Sequence, residues 1–227
     1  MGHLLDDLIR TPLPRSRAGV RHAMKHPSVA AIAGDQLLEM AKAVLGTRAF
    51  PFRATLFDKS PDSNWLVVWH QDTELPLTQK RDVPGWAPWS TKQGVSYAHA
   101  PAQALSQVLA LRVHLDDSTL VNESLRVLPG THDRGVLTDD EIHAVAGRTA
   151  SVECTITRGG VLAMRPLLVD SSSKLHADCS RRVLHIEYAA EPVLQGLTLA
   201  IAGGYRSRTS HAFCPLSTFC AFLRMNA

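Results

Sequence analysis

The chain has 227 residues, of which 45% are hydrophobic, and its formal net charge is +3. This length and composition fit one domain, residues 1–227, with a sizeable core. The charges form no basic block or stripe, so no nucleic-acid partner is expected, and no apolar run approaches the roughly 18 residues that a membrane-spanning helix needs.

The N-terminal part of the chain predicts helices after an irregular start. Residues 1–18 contain proline and arginine without a clear period. Pro27 suits the first turn of a helix, Asp35 can cap the start of a second one, and Gly46 suits the position after its end. We therefore predict helices over about 20–46.

Strands are expected to dominate from about residue 50 to 195. The first two are predicted over Phe50–Asp58 and Trp65–Asp72. On a strand, the side chains of His70 and Asp72 point to the same face, because they are two residues apart. An imidazole and a carboxylate placed in this way make two thirds of the 2-His-1-carboxylate triad that holds non-haem Fe(II). Alone, the pair is weak evidence and favours a satisfied pair at the surface, because short pairs arise by chance in a chain with 11 histidines.

The middle of the chain predicts a long loop and then a clear strand. Residues 73–104 contain four prolines and two tryptophans, and long loops of this kind are often lids or substrate-binding elements. In Ala104–Leu115, apolar residues alternate with polar ones, which is typical of a strand with two different faces. Arg112 and His114 lie on its polar face, which in a barrel would line the interior.

Two more strands and a short helix are predicted in the second half. Thr138 and Glu141 form the Thr-x-x-Glu pattern of a capping box, which begins a helix. One strand is expected from Val161 to Val169, ending at Asp170, and another from Arg181 to Ala190. In the second of these, alternate side chains share one face: Arg181, Val183, His185 and Glu187.

Nine short motifs along the chain are each weak evidence for a protein family, but their order and spacing together are specific. The motifs are Leu56-Phe57-Asp58-Lys59, Asn64-Trp65, Trp69-His70-Gln71-Asp72, Pro88-Trp89-Ser90, Ala110 to Asp117, Leu125 to His132, Arg158-Gly159-Gly160-Val161, Met164 to Leu168, and Arg181 to Ala189. From about residue 19 to 192, the chain resembles the bacterial branch of the phytanoyl-CoA dioxygenase family. The resemblance implies a mainly β fold with flanking helices (α+β), built on a double-stranded β-helix, the jelly-roll or cupin-like barrel. Residues 196–227 match the family poorly, and no role is predicted for them.

The resemblance also implies a ligand set. His70 and Asp72 become the first two metal ligands, and the position of the family's distal histidine is occupied by Asp170. The register is supported by Arg181, which lies eleven residues further on, at the family's spacing for the arginine that binds 2-oxoglutarate. Ser172 could bind the same cosubstrate carboxylate. Arg112 is a further candidate for the cosubstrate.

The carboxylate at residue 170 leaves four interpretations open. Asp170 could complete an unusual but working site, since a His-Asp-Asp set suits Mg, Mn or Fe(II). His176 could replace it from the following loop. The site could instead be impaired in iron binding, or Asp170 could have an unrelated structural role.

The resemblance implies an Fe(II)- and 2-oxoglutarate-dependent oxygenase that hydroxylates or oxidises a small molecule with O2. Candidate substrate contacts are His114, Trp89 and His185. Two alternatives are a catalytically silent member that binds a metabolite and a cupin-like metalloprotein that does not use 2-oxoglutarate, because jelly rolls serve many functions. No secretory signal pattern and no CxxC pair are found, so we expect reduced thiols and a cytoplasmic location.

Overall fold

The structure is a computed structural model that describes residues 7, 15–16, 19–175, 180–201 and 219–221. In this part of the chain, short and long strands alternate with four α-helices. The strands are β1 (Arg15–Ser16), β2 (Gly19–Val20), β3 (Phe50–Lys59), β4 (Val67–His70), β5 (Glu74–Leu77), β6 (Trp89–Lys92), β7 (Val95–His99), β8 (Val108–His114), β9 (Leu125–Val127), β10 (Val152–Cys154), β11 (Val161–Met164), β12 (Asp170–Ser172), β13 (Arg181–Ala189), β14 (Val193–Leu194), β15 (Leu197–Thr198) and β16 (Phe219–Ala221). The helices are α1 (Pro27–Ala33), α2 (Gln36–Leu45), α3 (Ala102–Leu105) and α4 (Asp139–Ala146), with 3-10 turns at Ala23–Lys25 and Thr131–Arg134.

Two sheets form the jelly-roll barrel that the family resemblance implied. The larger sheet has the order β1-β2-β3-β13-β8-β11-β16, and the smaller one has the order β10-β9-β12-β4. Neighbouring strands are antiparallel except for β11 and β16. A third sheet, β5-β7-β6, and the β14-β15 hairpin lie outside this pair.

The predicted N-terminal helices cover the outer face of the larger sheet. Pro27 occupies the first turn of α1, and α2 follows Asp35 and ends at Gly46. The Asp35 side chain makes no capping hydrogen bond, although its position was predicted correctly. The buried side chains of α2 pack with Leu109 and Leu111 of β8, so the apolar face of β8 is turned towards the helices. The capping box of α4 is present as predicted.

Several boundaries differ from the sequence prediction. Residues 73–104 are not a loop, because they form β5, β6, β7 and α3. The prolines misled the prediction, yet Pro76 lies on β5, which is an edge strand of its three-stranded sheet, where proline is tolerated. Asp72 lies just beyond the end of β4. Asp170 begins β12 instead of ending a strand, because the chain turns between β11 and β12.

Gly19 is required for the contact between β2 and β3. Its φ is +131°, and a Cβ at this position would lie 1.9 Å from the backbone oxygen of Leu56. The absence of a side chain therefore lets β2 pair closely with β3. This pairing determines where the residue after β2, Arg21, enters the barrel.

We expect Gly19→Ala to destabilise the fold by about 3 kcal/mol or more, because it adds a backbone clash to an unfavourable φ. The measurement is the free energy of unfolding in urea. Gly94→Ala is the matched control, since Gly94 has a φ of +78° and no atom within 4 Å of its Cβ position. The control should lose only about 1 kcal/mol, and equal losses in the two variants would contradict the clash.

None of the described helices is long and apolar enough to cross a membrane.

Candidate metal centre

A cavity of about 330 Å³ lies between the two sheets of the barrel. Its wall brings together most of the candidate residues from the sequence with several that had not been singled out. The lining side chains are those of Arg21, Arg53, Thr55, Phe57, Lys59, Trp65, Val67, His70, Gln71, Asp72, Thr73, Glu74, Lys92, His99, Arg112, Leu125, Asp170, Ser172, Arg181, Val183, His185 and Glu187.

The pairing of β4 with β12 positions His70. The Cα atoms of His70 and Asp170 are partners in this ladder. The Nδ1 atom of His70 lies 3.0 Å from the carbonyl oxygen of Val68 and 3.1 Å from that of Asp170. A backbone acceptor at Nδ1 orients the ring and leaves Nε2 to face the cavity, which is the usual support for a metal-binding histidine.

Asp72 is held by the segment around it. Its backbone N–H donates to the carbonyl oxygen of Pro166 at 2.9 Å. The side chain of Gln71 donates to the carbonyl oxygens of Gly135 and Leu167 and accepts from the backbone N–H of Leu137. Gln71 thus fixes the chain between the two candidate ligands, although it is not a ligand itself.

Asp170 is the third member of the cluster. Candidate ligand atoms of His70, Asp72 and Asp170 lie within 4.8 Å of one another. Asp170 is buried, and its Oδ2 atom has no hydrogen-bond partner among the described residues. A buried carboxylate oxygen without a partner is costly unless a cation or proton reaches it.

The three groups shift one another's proton affinity. Burial raises the pKa of Asp170 to about 7, and the charge of Asp72 adds to this shift, while His70 and Arg112 oppose it. Burial opposes protonation of His70, yet the hydrogen bond with Asp72 and the charge of Asp170 prevail and raise its pKa to about 10. Desolvation also acts against the charge of Asp72, but His70, at 3.4 Å between Nε2 and Oδ1, holds its pKa well below the usual range.

These residues fit a divalent cation. Ligand atoms around one ion at about 2.1 Å lie within about 4.2 Å of one another, so small side-chain movements would close the cluster. One imidazole nitrogen and two carboxylates suit Fe(II), Mn or Mg. The geometry agrees with the predicted ligand set, and metal binding by it stays a prediction.

A second cluster, at the side of the cavity formed by the ends of β3 and β13, is cationic. The Nη2 atom of Arg181 donates to the Oγ atom of Ser172 at 2.6 Å, and the Nζ atom of Lys59 donates to the same oxygen at 3.0 Å. Burial lowers the pKa of Lys59 to about 7, with Arg181 and Arg112 adding to the effect and Glu123 opposing it. Burial likewise lowers the pKa of Arg181 to about 10. Cations that crowd around one hydroxyl form a site for an anion.

Arg112 and His185 lie between these two clusters. The Nη1 atom of Arg112 is 3.3 Å from the Nδ1 atom of His185. Burial lowers the pKa of His185 to about 3, and Arg112 adds to the shift. His185 is therefore neutral at physiological pH and accepts the hydrogen bond from Arg112.

Two predicted substrate contacts do not line the cavity. His114 is buried behind Arg112 on the same strand, and its Nδ1 atom is 2.8 Å from the Oγ atom of Ser118. Trp89 packs in a core cluster outside the cavity, with the Nζ atom of Lys80 6.0 Å from its ring. The substrate roles predicted for His114 and Trp89 are therefore not supported. His176 lies outside the described residues.

The sequence analysis did not predict several of the polar residues that line the cavity. Lys59 is the cross-strand partner of Arg181, and this pairing depends on the register of β3 against β13. The only signal for Lys59 was its place in the motif that ends the first predicted strand. Arg21, Arg53 and Lys92 carried no motif.

An antiparallel barrel that encloses a His-Asp-Asp cluster and a cationic pocket belongs to the cupin-like, jelly-roll class. The family model described as phytanoyl-CoA dioxygenase (PhyH) matches residues 6–183. This chain therefore belongs to the phytanoyl-CoA dioxygenase family. A search of curated proteins finds no match.

Solved structures share the fold at low sequence identity. EvdMO1 is 22% identical with a TM-score of 0.56; the alignment covers 78% of this chain and 36% of EvdMO1, so the chain spans little more than a third of that protein. EctD from S. alaskensis with bound Fe is 17% identical with a TM-score of 0.59, over 98% of this chain and 77% of EctD. HygX from Streptomyces hygroscopicus with nickel and 2-oxoglutarate bound is 16% identical with a TM-score of 0.53, over 83% of this chain and 76% of HygX.

Proposed function

We propose that this protein is an Fe(II)- and 2-oxoglutarate-dependent oxygenase that hydroxylates or oxidises a small molecule with O2, and that Asp170 is its third metal ligand. The observation that carries the proposal is the convergence of His70, Asp72 and Asp170 within 4.8 Å, beside the cationic cluster around Ser172. Membership of the phytanoyl-CoA dioxygenase family supports it. The structures of EctD with bound Fe and of HygX with bound nickel and 2-oxoglutarate support the proposal that this chain binds a metal ion and 2-oxoglutarate.

Each cluster has a distinct role in this proposal. Nε2 of His70 and the carboxylates of Asp72 and Asp170 would hold the ion. Arg181, Lys59 and Ser172 would hold the distal carboxylate of 2-oxoglutarate, because a buried guanidinium stays charged and can pair with a carboxylate through two hydrogen bonds. When bound, iron and 2-oxoglutarate supply the oxidising chemistry, in which O2 is consumed and succinate, CO2 and an oxidised product are released.

The remaining polar groups position the reactants. Arg112 fixes the neutral ring of His185 between the two clusters. Because His185 has a pKa of about 3, it cannot deliver a proton at neutral pH, and we assign it to the wall that contacts substrate. Phe57 packs edge-on against this ring, with 5.7 Å between the ring centroids, and helps to exclude water.

The test is an anaerobic titration of the protein with Fe(II) and 2-oxoglutarate, which monitors the visible charge-transfer band of the iron–ketoacid complex. The proposal expects the band at stoichiometric iron, and succinate when air is admitted. Iron binding without a band would favour the cupin-like alternative that does not use 2-oxoglutarate. A band without succinate would favour the silent, metabolite-binding alternative.

The affinity for 2-oxoglutarate should fall as the pH rises above 7. Protonated Lys59 attracts the dianion, and its pKa in the free protein is about 7, so at higher pH binding must take up a proton. The dissociation constant should therefore rise by up to about tenfold per pH unit, until the higher pKa of Lys59 in the complex is reached. Calorimetry at several pH values measures this. Lys59→Met should bind more weakly with a flat profile, and an unchanged slope in that variant would contradict the role of Lys59.

A further inference from the structure

The cavity wall carries more positive than negative side chains. With a divalent ion in place of the protons on His70 and Asp170, the charged lining residues are six cationic ones, of which Lys59 is only partly protonated at neutral pH, and four anionic ones: Arg21, Arg53, Lys59, Lys92, Arg112 and Arg181 against Asp72, Glu74, Asp170 and Glu187. A divalent ion and dianionic 2-oxoglutarate cancel one another, so the excess of positive charge remains after both have bound. The substrate is the remaining component that can offset it.

Two of the cations are neutralised within the wall itself. Arg53 forms a buried ion pair with Glu187 and also donates to the backbone oxygen of Glu74 at 3.1 Å. Lys92 forms an ion pair with the carboxylate of Glu74. These pairs shape this side of the cavity but have little charge left for a ligand.

Arg21 is different, because no described acidic side chain forms an ion pair with it. It is partly buried and lines the cavity. Burial lowers the pKa of the neighbouring His22, and the charges of Lys25, Arg21 and Arg53 add to the shift, while a hydrogen bond with the backbone of Lys92 opposes it. This segment therefore lies at the wall formed by Arg53 and Lys92.

The register of β2 separates Arg21 from the cationic cluster around Ser172. Val20 pairs with Leu56, so Arg21 follows at the level of Thr55 on β3. Lys59 is four residues further along β3, a distance of about 13 Å at the usual rise of a strand. An anion held by Arg181 and Lys59 is thus in a different part of the cavity from one held by Arg21.

We propose that the substrate carries an anionic group, such as a carboxylate, phosphate or sulfate, and that Arg21 binds this group. The inference rests on the proposed function, because the cavity is taken as the site of an oxygenase that already contains 2-oxoglutarate. The guanidinium of Arg21 anchors the anionic end of the substrate at the wall of Arg53 and Lys92. The rest of the substrate extends past Thr55 towards the metal ligands.

The experiment is a calorimetric titration of the metal-free protein with sulfate, a probe for both anion sites. Wild-type protein should bind two sulfates. Arg21→Gln should lose one of them, with affinity at that site falling about tenfold or more, as expected for a charge-assisted hydrogen bond. Arg181→Gln should lose the other. Arg81→Gln is the matched control, because Arg81 is exposed and outside the cavity, and it should bind as wild type does.

Competition with 2-oxoglutarate distinguishes this inference from the proposed function. With Fe(II) added under anaerobic conditions, we expect 2-oxoglutarate to displace only the sulfate that depends on Arg181. If it displaces neither sulfate while Arg21→Gln still loses one, the proposed function fails and the anion site stands. If wild type binds no sulfate, or only sulfate that is unaffected by Arg21→Gln, the anion site is overturned.

Discussion

Asp170→Ala is expected to weaken Fe(II) binding by at least about 100-fold, because it removes one of the three proposed ligands, and loss of a supporting contact alone costs about 10- to 100-fold. Asp170→His should instead retain the iron–ketoacid band and shift the preference among metals towards Fe(II), since imidazole suits iron better than Mg or Mn. The measurement is anaerobic titration with each metal, together with the visible band. Asp62→Ala, which removes an exposed carboxylate, is the matched control and should bind metal as wild type does.

The metal-free variants provide a readout that does not depend on iron. The pKa of Asp170 is raised to about 7 in the fold, above its value of about 4 in an unfolded chain. The contribution of such a group to the free energy of unfolding falls as the pH rises from about 4 to 7, because the folded state must then bury a charged carboxylate. Metal-free Asp170→Asn should consequently unfold at a higher temperature than wild type at pH 8. A lower unfolding temperature would mean that Asp170 has a structural partner.

The outcome for iron also separates the interpretations of residue 170. A band in both wild type and Asp170→His means that the His-Asp-Asp set is a working site. A band in the histidine variant alone means that the natural site is impaired. Iron binding by Asp170→Ala at wild-type strength would remove Asp170 from the ligand set.

The parts of the site that the sequence predicted depend on short-range periodicity. A period of two residues places Arg181, Val183, His185 and Glu187 on one face of β13, and all four line the cavity. The same rule brought His70 and Asp72 together, although β4 ends at His70. Periodicity holds because neighbouring side chains on one extended backbone have fixed directions.

The parts that the sequence did not predict depend on pairing between distant segments. Lys59 reaches the cationic cluster around Ser172 only because the register of β3 places it opposite Arg181. His114 shares a face with Arg112, but the loop that carries Ser118 covers it. Arg21 is brought in by the close β2–β3 contact at Gly19. Strand register and the burial of a side chain by a loop are properties of the tertiary fold, so they cannot be predicted from a local sequence pattern.

The charge at residue 170 has a consequence for the whole cavity. A neutral histidine at residue 170 would give the metal site one negative charge fewer than Asp170 does. In the proposed site, the carboxylates of Asp72 and Asp170 would together neutralise a divalent ion, and attraction of the cosubstrate would then depend more strongly on the cations around Ser172. Arg181 and Lys59 are therefore expected to contribute a larger share of the 2-oxoglutarate affinity here than they would beside a metal site with a histidine at residue 170.

Arg181→Met is accordingly expected to weaken 2-oxoglutarate binding by about 100-fold or more, since it removes one partner of a buried charge pair. Fe(II) binding without cosubstrate should be unchanged, because the candidate ligands are His70, Asp72 and Asp170. Arg181→Lys should recover only part of the affinity, because an ammonium cannot form the two parallel hydrogen bonds of a guanidinium. The dissociation constants for both ligands follow from anaerobic titration.

Arg182→Met is the matched control for this prediction. Arg182 is the next residue on β13 and pairs with Asp116 on the other face of the strand, at 2.7 Å between Nη2 and Oδ1. Its removal should lower the unfolding temperature yet leave the dissociation constant of 2-oxoglutarate within about twofold of wild type, because an ion pair on the far side of the strand affects stability and not the cavity. Equal loss of 2-oxoglutarate affinity in both variants would show that Arg181 acts through the stability of β13. Loss in Arg181→Met alone would show that the guanidinium of Arg181 binds the distal carboxylate of 2-oxoglutarate.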